Sequence, residues 1–131
     1  MSVGPVLYRG RRLAESLMVD RCTIRHRTGA TTDPDTGVVT PTYVVVYSGK
    51  CKVQTFTNRE LLKTGGEHEF IDQRYEVDIP VSVVGVQAND EITLDAATYD
   101  ADLVGRQYRV VGLMNKSLGT ARRLGVEELV A

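Results

Sequence analysis

Apolar side chains change their spacing several times along the chain, and each change predicts a new element. Over residues 5–18, Val6/Leu7, Gly10, Leu13/Ala14 and Leu17/Met18 recur at intervals of three and four, the stripe of an amphipathic helix. Pro5 suits the first helical turn, where its missing N–H costs nothing. Arg9, Arg11, Arg12, Glu15 and Ser16 lie off the stripe, and Gly10 within it allows a close approach to another backbone. From Val19 the interval becomes two. Cys22, Ile24 and His26 alternate with Arg21, Thr23, Arg25 and Arg27, a strand with one face inward and a basic row outward. Thr28–Thr32 reads as a polar tip, and Asp33-Pro34-Asp35-Thr36-Gly37 as a tight turn. The next strand runs from Val38 to Tyr47 with a break at Pro41, and its β-branched and aromatic stretch 43–47 is expected to be buried. Together the two strands predict a long antiparallel hairpin, its tip at 28–37 projecting from the body.

Ser48-Gly49 reads as punctuation, followed by alternation over 50–56 with Cys51, Val53 and Thr55 inward. Residues 57–69, TNRELLKTGGEHE, show no strand pattern and carry Gly65-Gly66, so they read as a long connection of the functional or disordered kind. Alternation returns over Arg74–Val81, with Pro80 marking a strand end or edge. A bend at 82–89, a short strand at 91–94, an acidic loop at 95–102, a strand at 107–113, a turn at 115–118 and a last strand at 120–130 complete the chain. One helix and six or seven closely spaced strands predict a mainly β fold, a small antiparallel β-barrel in a single domain, 1–131. Closure is favoured over a sandwich because it removes exposed edges.

The length of 131 residues fits one domain, and 42% apolar with 25% charged residues excludes global disorder. No run of 18 apolar residues is present, and arginines interrupt the N-terminal apolar pattern, so neither a membrane helix nor a signal peptide is expected. Two cysteines make no disulfide framework; a cytosolic setting with reduced thiols is the default. The net charge of −1 removes the simplest case for a nucleic-acid binder, but it hides segregation. Residues 1–52 sum to +4, 53–66 to +1, 67–102 to −9 and 103–131 to +3. Either the acids populate solvated loops, or the fold carries an acidic and a basic surface able to stack on complementary partners.

Candidate chemistry is sparse. Cys22 and His26 share a strand face, with Cys51 and His68 elsewhere, but no C-x-x-C supplies zinc spacing and inert core thiols are the expectation. A Cys/His nucleophile pair lacks an orienting third group. The Asp33–Gly37 segment resembles a calcium loop superficially, yet its Gly falls early and Val44 stands where the bidentate Glu belongs. Gly65-Gly66 has no phosphate-loop context, and neither G-x-S-x-G nor H-E-x-x-H occurs. The acids of 67–102 are expected on solvent positions, so no enzyme, metal or cofactor is expected. The arginines Arg9, Arg11, Arg12, Arg21, Arg25 and Arg27 lack an aromatic stacking platform beyond Tyr8, which favours docking on an acidic protein surface over nucleic-acid readout.

Several stretches carry a resemblance: GRRLAES at 10–16 leading into DRCTI at 20–24, DPDTG at 33–37, YSGKCKVQ at 47–54, RYEV at 74–77, LVGRQYRV at 103–110 and TARRL at 120–124. Together they resemble a head-to-tail stopper, or head completion protein, of long-tailed bacteriophages of the actinobacteriophage type. The likeness spans nearly the whole chain as modest motifs in a fixed order. It implies a β-barrel protomer in a homo-oligomeric ring of the virion neck, hexameric or else dodecameric, assembled in the host cytoplasm. Its implied partners are the portal-adaptor ring, the tail terminator or tail tube protein, and genomic DNA contacted without sequence specificity in the channel; no membrane is involved. A gating loop would then be 57–69, with Arg59, Glu60, Lys63, Gly65, Gly66 and Glu67, and the hairpin tip 28–37 is the other candidate. The acids of 67–102 would suit a lumen that repels phosphates at close range, since salt screens beyond about 8 Å. Arg9, Arg11, Arg12, Asp33 and Asp35 would serve ring or neighbour interfaces. The alternatives are a tail terminator or other neck adaptor ring, a monomeric bacterial β-barrel binding module, and an enzyme using acids from 67–102 in a concave pocket.

Overall fold

The computed structural model describes residues 3–61 and 69–129, with side chains over 3–55 and 75–129. Helix α1 spans Gly4–Ser16. Six strands follow: β1 Asp20–Thr32, β2 Val39–Leu61, β3 Glu69–Ile79, β4 Glu91–Ala96, β5 Gln107–Met114 and β6 Arg122–Leu129. They close an antiparallel barrel in the order β1-β2-β3-β6-β5-β4. The expected mainly β barrel with one N-terminal helix is therefore the observed fold.

The period of two fills the interior. Cys22, Ile24, Cys51, Val77, Ile79, Ile92, Leu94, Tyr108, Val110, Leu124 and Val126 are buried together inside the barrel. Burying each of the larger of these side chains contributes about 1.5–3 kcal/mol. Register shifts at Ile24/Arg25, Arg27/Gly29 and Val110/Gly112 bend the strands round the closure. Pro80 follows the last residue of β3, as its missing donor requires.

Several expectations need correction. Residues 57–61 and 69 are not loop: β2 continues to Leu61 and β3 begins at Glu69, paired from Lys52↔Asp78 down to Leu61↔Glu69. Residues 57–61, Thr-Asn-Arg-Glu-Leu, carry no alternation of apolar and polar types, so the strand is invisible to periodicity. Ser48-Gly49 does not interrupt β2 either. Gly49 is buried, and a Cβ there would lie 2.7 Å from the Tyr47 hydroxyl. The Tyr47 ring occupies the space a side chain would take, and its Oη donates to the Lys50 carbonyl at 2.7 Å.

The stretch 43–47 is not a buried strand. Val44 and Val45 are exposed, because only β1 pairs with this part of β2. Nor do the acids of 67–102 all face solvent: Asp78 and Asp90 are buried. Strand pairing brings some basic residues of 1–52 against acids of 67–102. Arg25 of β1 meets Glu91 of β4 at 3.0 Å, and Lys52 of β2 lies 3.9 Å from Asp78 of β3.

Candidate assembly interface

β2 has 23 residues, about 75 Å of extended chain, which is much longer than the barrel uses. β4 pairs with β1 only as far as Arg25↔Glu91, and Arg25 lies opposite Val45. Beyond that point β1 and β2 have only each other. At the other end, β6 pairs with β3 only as far as Tyr75↔Val126, and Tyr75 lies opposite Thr55. Past Thr55, β2 and β3 again have only each other. Two ribbons therefore leave the barrel at opposite ends of one strand.

The root of the β1–β2 ribbon is fixed by two side chains. Arg25 gives Nε and Nη2 to Glu91 Oε2 at 3.2 and 3.0 Å, and its guanidinium lies 3.9 Å over the Tyr43 ring. His26 Nδ1 lies 2.6 Å from Asp90 Oδ1, and Asp90 Oδ2 accepts from the Gln87 N–H at 2.8 Å. Both oxygens of the buried carboxylate are thus partnered, consistent with an anchor. Sequence alternation placed Arg25 in an outward basic row but could not show that a β4 carboxylate would claim it.

At the tip, Asp33 N–H donates to Val38 O and Gly37 N–H to Asp33 O, at 2.9 and 2.8 Å. Gly37 takes φ +71°, the left-handed exit expected of it. Asp33 Oδ1 accepts from Asp35 N–H at 2.9 Å, and that hydrogen bond holds the Asp33 carboxyl below the usual range. Asp35 is exposed and has no ion-pair partner among the described residues. The turn expected from DPDTG is therefore present, with both carboxylates at the end of the ribbon.

Helix α1 lies on the outside of the barrel through few bonds. Arg11 Nε donates to Gly119 O at 3.1 Å, and Glu15 pairs with Lys50 Nζ at 3.1 Å. Gly10 sits so close that a Cβ would stand 2.9 Å from Thr120 Cγ2, which is the close approach the sequence suggested. Only half of the expected stripe packs inward. Leu7, Gly10 and Ala14 are half-buried and Met18, just past the helix, is buried, while Val6, Leu13 and Leu17 are exposed. The helix ends at Ser16 rather than at 18. Leu17 and Met18 close it with N–H bonds to Ala14 and Glu15, and Met18 turns into the core before β1.

Between α1, the segment after β3 and the β5–β6 turn runs a cleft of about 400 Å³. Its walls carry Arg11, Arg12, Lys116 and Arg122 against one carboxylate, Glu15. Arg122 is consumed by Val83 O, Val81 O and Asn115 Oδ1 at 2.6–2.9 Å. Arg12 stands 5.8 Å over the Tyr8 ring, otherwise open, and Lys116 is exposed.

The sequence-predicted interface residues thus fall into two groups. Arg9 and Arg12 are exposed on α1 and Arg11 is turned inward as a tether; Asp33 and Asp35 sit at the ribbon tip, distant in the barrel's strand order. Lys116, missed by the sequence reading, joins the basic group only because the β5–β6 turn folds against α1. Of the residues expected to gate a channel, Arg59 and Glu60 lie in the terminal part of β2, opposite Ile71 and Phe70. Lys63, Gly65, Gly66 and Glu67 lie outside the described residues.

A family model of unknown function, DUF6093, matches residues 10–127. The chain belongs to the DUF6093 family. No curated protein matches it. The DUF6093 match takes in the barrel, the ribbon tip with Asp33 and Asp35, and the cleft residues Arg11, Arg12 and Lys116; it leaves Arg9 outside. Among the described residues, no group of three or more His, Cys, Asp or Glu is placed to hold a metal ion. No helix among the described residues is long and apolar enough to cross a membrane.

Proposed function

We propose that this DUF6093 protein is a ring-forming neck protein of a long-tailed bacteriophage, of the head-to-tail stopper type. The observation that carries the reading is the pair of ribbons leaving a closed barrel at opposite ends of β2. A barrel that has already satisfied its edges gains nothing for its own stability from two-stranded extensions, which are marginal in water by themselves. Such extensions fit a body that must reach neighbours on more than one side. The exposed apolar and basic surface of α1 supplies a further contact face.

In this reading the barrels form the wall of a ring between the portal-adaptor and the tail. The β2–β3 ribbon, with Arg59 and Glu60 towards its end and Lys63, Gly65, Gly66 and Glu67 beyond, enters the DNA channel. The virion neck is the site of action, reached by assembly in the host cytoplasm, and the work is geometric and electrostatic with no catalysis. Native mass spectrometry and negative-stain microscopy of the purified protein should show closed rings. Removing the gene from the genome that carries it should give filled heads without tails. Deleting 60–67 should leave rings intact while impairing genome retention. A protein that stays monomeric at all concentrations, or normal virions without the gene, overturns the proposal.

A further inference from the structure

We infer that the acidic tip of the β1–β2 ribbon of one copy docks into the basic cleft beside α1 of a second copy, making a head-to-tail contact. The inference rests on the ring reading and names the surfaces that build the ring. The ribbon needs a cover. From Arg25 to Asp33 it runs eight residues beyond the last β4 pair, about 26 Å, and most of its side chains are exposed. Val38, Val39, Val44 and Val45 are all at least half exposed, an uncommon load for an unsupported two-stranded element.

Charge selects the occupant. Residues 28–49 carry Asp33 and Asp35 and no basic side chain. The cleft presents Arg12 and Lys116 with open donors, while its carboxylate Glu15 is already taken by Lys50. Opposite charge at both surfaces guides encounter and fixes register between partners. The tip is also shaped in advance, because its turn is closed by Asp33, Thr36 and Gly37 hydrogen bonds before any partner arrives, so little ordering cost remains on docking. A tip cannot fill the cleft of its own chain while its root is held at Arg25 and His26 on the β4 side. The two surfaces therefore join different copies, and a heterologous contact of this kind closes into a ring or runs into a filament.

The test uses the full chain in four forms: wild type, D33K/D35K, R12E/K116E, and the fourfold reversal. Sedimentation and native mass spectrometry read the assembly state at low and high salt. Wild type should assemble in a salt-sensitive manner, each double reversal should weaken association by roughly tenfold or more, and the fourfold reversal should restore it. Mixing the two double variants should restore assembly in alternating copies, because each variant's tip then meets a cleft of opposite charge. Circular dichroism and thermal melts confirm that all four forms are folded.

Rings from both double variants as from wild type would overturn the inference while leaving the ring reading standing. Loss in both without recovery in the fourfold form would overturn it as well. A wild type that never assembles overturns both. Binding of a duplex oligonucleotide abolished by R12E/K116E, with assembly unaffected by D33K/D35K, assigns the cleft to nucleic acid and overturns the inference.

Discussion

Replacing Asp78 by Asn should make the protein more stable at neutral pH. Asp78 is buried in β3, with only 5% of its side chain exposed. Its Oδ2 accepts from Gln54 Nε2 at 2.9 Å and lies 3.9 Å from Lys52 Nζ. Its Oδ1 is buried without a hydrogen-bond partner among the described residues. Burial first, and then the neighbouring Glu76, push the carboxyl above its usual range, with Lys52, Arg123 and Gln54 opposing. A raised carboxyl keeps its proton in the folded state at pH values where the unfolded chain has lost it. Folded protein then binds more protons than unfolded, so stability falls as pH rises above the unfolded value and levels off past the folded one. Asparagine removes the charge and keeps the acceptor for Gln54. The amide leaves its Nδ2 unpartnered where Oδ1 stood, so the gain comes from removing the buried charge; Lys52 offsets part of that charge's desolvation, leaving a gain of about 1 kcal/mol at pH 7. For a chain of this size that is roughly 3–4 °C in melting temperature. Urea titrations from pH 7 downwards measure it, and the gain should shrink as the pH falls through the raised folded-state range, where wild-type Asp78 takes up its proton in the fold. An Asn variant less stable than wild type at pH 7 would refute the reasoning and make the Lys52 pair a net stabiliser.

The Tyr108 hydroxyl is likewise buried without a partner among the described residues, and burial followed by the charge of Glu128 raises its ionisation to about 12. Tyr108→Phe should hold or raise stability by up to about 1 kcal/mol, measured by urea unfolding; a clear loss would mean the hydroxyl is bonded. Gly49→Ala drives a Cβ against the Tyr47 hydroxyl and ring, at 2.7 and 3.0 Å, and should cost about 1–3 kcal/mol; an unchanged melting temperature would disprove the crowding. Cys22 lies opposite Gly49 and Cys51 opposite Asp20, so the two free thiols are diagonal neighbours, both buried inside the barrel. The bond to Cys22 and burial push the Cys51 thiol up. A thiol reagent should therefore label neither cysteine until the protein unfolds, and native-state labelling would contradict that burial.

The barrel was legible because its core strands are buried on one face and solvated on the other. Cys22/Ile24, Val77/Ile79 and Tyr108/Val110 follow the period of two without interruption. What escaped the sequence lay where that condition fails. Val44 and Val45 stand where only β1 pairs with β2, so β-branched residues that read as core are exposed, and the sequence of 57–61 lacks the alternation that marks a strand. The break expected at Ser48-Gly49 failed for another reason: a glycine roofed by its neighbour's ring is a strand interior, and only the three-dimensional overlap shows it. At the candidate interface, Arg12, Asp33 and Asp35 were legible in the sequence but Lys116 was not, because its place in the cleft is set by folding alone.

The uninterrupted run of β2 has a mechanical corollary. Because one covalent strand threads the barrel wall and supplies half of each ribbon, a pull on either tip along that strand is borne first as sliding stress on the hydrogen bonds of β1 and β3. Many bonds share such a load at once, whereas a hairpin peeled open from its end breaks them singly. A tug at one extremity is therefore felt at the other before the wall between them gives way.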